Sequence, residues 1–273
     1  MALNELVPEP ARPISATATE VHTGPATDPL AWLATTPHTD ERWYWEVPED
    51  DTAWVGMGSA ATVSTSGPGR FDEAAREADQ LLSGLRVTGP PDAPLPRLAA
   101  GFAFDDTAQS GPWEPFGDGR LVLPAVQVLR RGGRTWGIRI AGPDRPTPVM
   151  VAPDPAGPIE VDAADWADEA SRAHYRHLVE LALEAIERGE LVKAVPCRSL
   201  RLERRPDVVR LLATLRSTYP ACATVGVSIG TTSFVAATPE RLVAVAGDRL
   251  HTAALAGSAP RHADPAIDAA LGQ

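Results

Sequence analysis

In the stretch Gly189-Glu190-Leu191-Val192-Lys193-Ala194-Val195-Pro196-Cys197-Arg198-Ser199-Leu200 a helical pattern stops and an apolar run carrying a single lysine begins. Upstream of it, Tyr175, Leu178, Val179, Ala182, Leu183, Ala185 and Ile186 recur at three- and four-residue spacing, and Glu184 precedes Arg188 by one turn. That spacing predicts an amphipathic helix. Gly189 can take the left-handed conformation that closes it. Leu191, Val192, Ala194 and Val195 flank Lys193 on both sides and predict a strand. A lysine buried in such a run loses hydration, its pKa falls and the neutral amine can act as a base. A strand lysine that points outward is only a solvated charge, and spacing alone leaves both readings open.

A chain of 273 residues can bury a sizeable core in one large domain or two small ones. Its formal net charge of −11 weighs against a nucleic-acid backbone or an anionic membrane as partner. The two cysteines, Cys197 and Cys222, form neither a CxxC pair nor a disulfide framework. The N-terminus lacks a basic segment followed by an apolar run, and no apolar stretch reaches membrane-spanning length. These features predict a cytoplasmic protein with no nucleic acid and no membrane among its partners.

Residues 1–28 are rich in Pro, Ala, Thr and Glu and predict a mobile N-terminal segment. The main domain is placed at 29–273, with an N-terminal subregion at about 40–142, a proline-rich linker at 143–160 and a second subregion at 161–273. Arg42 to Pro48 and Ala53 to Gly58 predict two strands around the acidic turn Glu49-Asp50-Asp51. Gly56-Met57-Gly58 lacks the further glycine and the following helix of a phosphate loop and reads as a tight strand. Phe71 to Leu85 predicts a helix whose apolar face is Phe71, Ala75, Ala78, Leu81 and Leu82. Leu98 to Asp105, Leu121 to Leu129 and Thr135 to Ile140 predict strands, and Trp113 and Trp136 predict core.

Pro206-Asp207 opens a further helix that ends before Pro220. Thr224–Ile229, Phe234–Ala237, Leu242–Ala246 and Leu250–Ala254 then predict an antiparallel meander. Asp264-Pro265 supplies a cap and first turn for a last helix. His174 and His177 share a helix face without further ligands at suitable positions and read as solvated side chains.

Three segments carry a common signature: Gly189 to Val195 with Lys193, Thr238-Pro239-Glu240-Arg241-Leu242, and Leu255-Ala256-Gly257-Ser258. Together with Gly101-Phe102-Ala103-Phe104-Asp105 and Leu123-Pro124, and in this order, they resemble the chorismate-utilising enzymes, the family of isochorismate, salicylate, anthranilate and aminodeoxychorismate synthases. The resemblance runs from about residue 40 to the end. It implies an α+β fold, an α/β/β/α sandwich of antiparallel sheets like that of anthranilate synthase, with the C-terminal part missing from this chain.

The resemblance also implies a reaction on chorismate. Members that add ammonia typically carry Gln at the position of Lys193, and members that add water carry Lys; an amide cannot serve as the base that deprotonates water. Ala256 stands where the aminodeoxychorismate branch tends to place a lysine nucleophile. Lys193 as general base, Glu240 as general acid, and Ala256, Gly257 and Ser258 around the substrate are therefore the expected site of an isochorismate synthase. Salicylate synthase, which shares the acid and base, is the alternative; another is a catalytically inactive truncated remnant. Mg²⁺ is the implied cofactor, with its glutamate ligands expected beyond Gln273, so that the chain by itself is expected to show little or no activity. Isochorismate feeds menaquinone or siderophore biosynthesis, and these residues do not choose between them.

Overall fold

The computed structural model describes residues 14–21, 28–35, 41–106, 109–141, 169–199, 206–252 and 264–267. Its centre is a pair of adjacent strands, β2 (Arg42–Val47) and β3 (Thr52–Met57), paired antiparallel from Arg42↔Met57 to Val47↔Thr52 around the turn at Pro48–Asp50. Asp51 takes φ 45° and closes the turn through its N–H to the Pro48 carbonyl at 3.1 Å. The other strands of this sheet are β1 (Ser15–Val21), β5 (Arg86–Thr88), β8 (Val126–Arg131), β9 (Arg134–Ala141), β10 (Ala223–Ile229) and β11 (Thr232–Thr238). They form one eight-stranded sheet in the order β11-β10-β2-β3-β8-β9-β1-β5, in which every pairing but β1–β5 is antiparallel.

Alternation along these strands gives the sheet two apolar faces. Tyr44, Val55, Met57, Val126 and Val128 point to one face, where helices α1 (Pro29–Thr35) and α4 (Val208–Thr218) bring Leu30, Trp32, Leu33, Val209 and Leu212 against them. Asp207 caps α4 by accepting the Arg210 N–H at 2.9 Å. The close approach of α4 requires Gly226, since a Cβ there would stand 2.9 Å from Leu212 Cδ1. On the opposite face, Trp43, Trp54 and Leu129 meet Ala99 and Val122 of a smaller antiparallel sheet, β4 (Ala61–Thr65), β7 (Gly119–Leu123) and β6 (Ala99–Phe102). Helix α2 (Arg70–Ser83) lies against β4 and β7. Helices therefore flank a large and a small sheet, in keeping with the α+β expectation.

Gly56 is a packing glycine, as the tight-strand reading requires: a Cβ would stand 2.5 Å from Pro124 Cγ. Several expectations are corrected. Residues 15–21, read as part of a mobile segment, form β1, which pairs along its whole length with β9. The run Leu121 to Leu129 is two strands, β7 and β8, because Pro124 cannot donate to a ladder. Phe71 and Leu82 of α2 are exposed, and the helix buries Arg70 and Ala74 instead. Trp136 is core, whereas Trp113 is 51% exposed. Of the segment read as a buried strand from Leu98 to Asp105, only the β6 residue Ala99 is buried within 99–102, and Phe104 is fully exposed.

The second subregion is packed differently. Helix α3 (Glu169–Glu187) has no buried residue. Gly189 (φ +71°) closes it as expected, with the Gly189 N–H donating to Ile186 and the Glu190 N–H to Ala185 at 3.0 and 2.9 Å. The following run, read as a strand, has no regular structure over residues 190–199. Among the described residues no neighbouring strand completes a ladder with it, and extended backbone without one is not held. Beyond β11, β12 (Ala244–Ala246) and β13 (Arg249–His251) make a separate two-stranded ribbon instead of continuing the large sheet. At 265–267 a helical turn follows Asp264, whose carboxylate accepts the Ala266 N–H at 2.9 Å.

Candidate functional site

Lys193 is exposed and makes no hydrogen bond or ion pair with a described residue. Its neighbours Val192 and Val195 are 99% and 75% exposed, and of the two readings left open for this lysine the described residues show the exposed one, with no apolar cover over it. Glu240 is also exposed, in a turn after β11 where its N–H donates to Thr238 Oγ1 at 3.1 Å. Ala256, Gly257 and Ser258 lie outside the described residues. His174 and His177 are exposed, His177 Nδ1 lying 3.7 Å from Glu180, in keeping with solvated side chains.

Among the described residues, no group of three His, Cys, Asp or Glu could hold a metal ion. The described residues therefore do not fit the magnesium ion that the resemblance implies, whose ligands it places beyond Gln273, and no chemical step is assigned to one. Among the same residues, no helix is long and apolar enough to cross a membrane.

Among the described residues, an apolar cavity lies elsewhere, between the two sheets. A cavity of about 540 Å³ is walled by the aromatic residues Trp43, Trp45, Trp54, Phe102, Trp113 and Phe234, and neither Lys193 nor Glu240 lines it. Its cations are Arg97 and Arg120. Arg120 is neutralised by Glu41 through two bonds of 2.9 and 2.7 Å, and Glu41 also accepts Trp43 Nε1–H at 2.9 Å. Burial, and secondarily the charge of Arg131, lowers the Arg97 pKa, and no carboxylate faces it among the described residues. Gln127, wholly buried, fixes the backbone there: it accepts the Arg97 N–H at 2.8 Å, donates to the Arg97 carbonyl at 2.9 Å and accepts Trp54 Nε1–H at 3.0 Å.

On the helix face of the sheet, a second group of polar residues is built into the core. Tyr44 donates to Glu46, which is 1% exposed and takes Arg130 at 2.6 Å and Arg216 at 3.7 Å. Arg216 grips Asp28 with two bonds of 2.9 and 2.7 Å. Burial, and then the charge and hydrogen bond of Glu46, push the Tyr44 hydroxyl well above its ordinary pKa. Burial opposes ionisation of Asp28, but the Arg216 bond and charge, the Leu30 N–H and Arg130 outweigh it and hold the carboxyl below its usual value. This network ties the start of α1, β2, β8 and α4 together. Sequence reasoning missed it; the one signal was the alternation Arg42-Trp43-Tyr44-Trp45-Glu46, which sets Tyr44 and Glu46 on one face of β2.

Residues 40–273 match the model of the chorismate binding enzyme family. The chain is 28% identical to the salicylate biosynthesis isochorismate synthase of Pseudomonas aeruginosa over 251 residues, 84% of this chain and 51% of that protein. It is 30% identical to the anthranilate synthase of Azospirillum brasilense over 241 residues, 78% of this chain and 31% of that protein. The structure of MenF, the menaquinone-specific isochorismate synthase of Escherichia coli, superposes with a TM-score of 0.60 at 21% identity, covering 96% of this chain and 59% of that one. The fold is therefore that of MenF, and the chain spans about half the length, or less, of the relatives it matches.

Proposed function

The chain belongs to the chorismate-binding enzyme family, and we propose that within it this protein serves isochorismate synthesis, the isomerisation of chorismate by water addition at C2 and loss of the C4 hydroxyl. The observation that carries this reading is the amine at position 193, in a sequence similar to an isochorismate synthase over 84% of its length. Lys193, as neutral amine, takes a proton from water and the oxygen attacks C2. Both conjugated ring double bonds shift, from C1=C2 and C5=C6 to C1=C6 and C4=C5, the C4–O bond breaks, and Glu240 gives its proton to the departing hydroxyl, which leaves as water. Ala256, Gly257 and Ser258 contact the substrate, the glycine permitting close approach.

Base and acid need displaced pKa values of opposite sense, and such displacement comes from burial. Both side chains are exposed among the described residues, so efficient turnover requires that segments outside those residues cover them. That exposure favours a second reading, a chain without turnover of its own. The test is the product: chorismate, Mg²⁺ and ammonium are supplied together and the products are separated by chromatography. Isochorismate is the expected product. Anthranilate would overturn the water-adding assignment, salicylate with pyruvate would point to salicylate synthase, and no product would favour the inactive reading.

A further inference from the structure

Strand β11 ends at Thr238, whose backbone is still paired with Ala223 of β10. Its side chain reaches past Pro239 to Glu240: Thr238 Oγ1 accepts the Glu240 N–H at 3.1 Å, and the hydroxyl donates to the Glu240 carbonyl at 3.4 Å. One hydroxyl therefore holds both backbone groups of Glu240, and the proline between the two residues has a fixed φ. The exit of the turn is held separately, by Thr252 Oγ1–H donating to the Leu242 carbonyl at 2.9 Å. Lys193 is attached differently. Residues 190–199 have no regular structure, and this run is joined to the end of α3 by Leu191 N–H donating to the Ala185 carbonyl at 3.3 Å. Glu240 is thus tied to a sheet, and Lys193 follows the end of a helix.

We propose that Thr238 is the positioning residue of the general acid: its hydroxyl fixes the backbone of Glu240 relative to the large sheet, and with it the direction from which the carboxyl reaches the departing oxygen. The proposal rests on the reading of Glu240 as that acid. Proton transfer needs the carboxyl within about 2.6–3.2 Å of the oxygen it protonates, and a displacement of about 1 Å can cost about 100-fold in rate. Side-chain rotation cannot make this good, because it swings the carboxyl about a Cα–Cβ bond whose direction the backbone sets. Threonine suits both duties of position 238. Its branched side chain fits the last residue of a strand, and its hydroxyl bonds the chain two residues on. Valine keeps the first property and serine the second.

The experiment is isochorismate formation from chorismate and Mg²⁺ by the wild type, Thr238→Val, Thr238→Ser and Thr252→Val. Thr238→Val is expected to lower kcat about tenfold or more with KM within about twofold, while Thr238→Ser stays within about threefold of the wild type. Thr252→Val removes a bond from the same turn without touching Glu240 and should stay near the wild type. The Glu240 amide should exchange faster in Thr238→Val than in the wild type or Thr238→Ser. Should Thr238→Val fail to fold, Thr238→Ala carries the same expectation. Unchanged kcat without the hydroxyl, no rescue by serine, or an equal loss in Thr252→Val would overturn the positioning role and leave Glu240 as the acid. No isochorismate from the wild type would instead remove the reading of Glu240, and the role of Thr238 with it.

Discussion

Val55 and Val192 both stand in runs that read as strands, yet Val55 is completely buried and Val192 is 99% exposed. The difference lies in what surrounds each run. Around Val55 the chain supplies strands on both sides, helices α1 and α4 on one face and the small sheet on the other. Around Val192 it supplies nothing among the described residues, and α3 next to it buries no side chain although its apolar spacing is clear. Periodicity sets which face of an element is apolar, and burial needs a second surface to meet that face.

Substitution tests this contrast most sharply in the buried network. Glu46→Ala leaves Arg130 and Arg216 without their central carboxylate in a site where Glu46 is 1% exposed. The expected cost is about 3–5 kcal/mol of stability, measured by urea unfolding. A loss below about 1 kcal/mol would mean that water reaches the network, as it does exposed ion pairs. Next come two leucines on helices. Leu212→Ala, at 0% exposure on α4, should cost about 2–5 kcal/mol. Leu183→Ala, at 55% exposure on α3, should stay within about 0.5 kcal/mol. Equal costs would show that the α3 face is covered in solution, and the contrast between the regions would fail.

The smallest effect concerns pH. The Asp28 carboxyl is held below its unfolded value, so its contribution is complete above about pH 4 and is lost as the pH falls through the lower folded value. Asp28→Asn should therefore flatten the acid limb of a plot of unfolding midpoint against pH. An unchanged slope would assign that limb to other carboxylates.

What the sequence made legible follows the same division. The β2–β3 and β10–β11 hairpins, helix α4 and the end of α3 at Gly189 were readable because turn residues, caps and alternation are local signals. β1 was not, since Ser15 to Val21 is a polar, alanine-rich run whose strand exists only through β9 and β5. The exposure of Lys193 was not legible either, because an apolar run predicts burial only if something arrives to bury it. The family motifs at Lys193 and Glu240 are short and local and could be seen; the aromatic cavity between the sheets draws on distant strands and could not.

The measurement that tests the functional account most directly is isochorismate formation from chorismate by the wild-type chain and by Lys193→Gln at equal concentration. The account predicts isochorismate, at low turnover, from the wild type and none from the variant, because an amide can hydrogen-bond water but cannot take its proton. Isochorismate formed equally well by Lys193→Gln would contradict the assignment of Lys193 as the base.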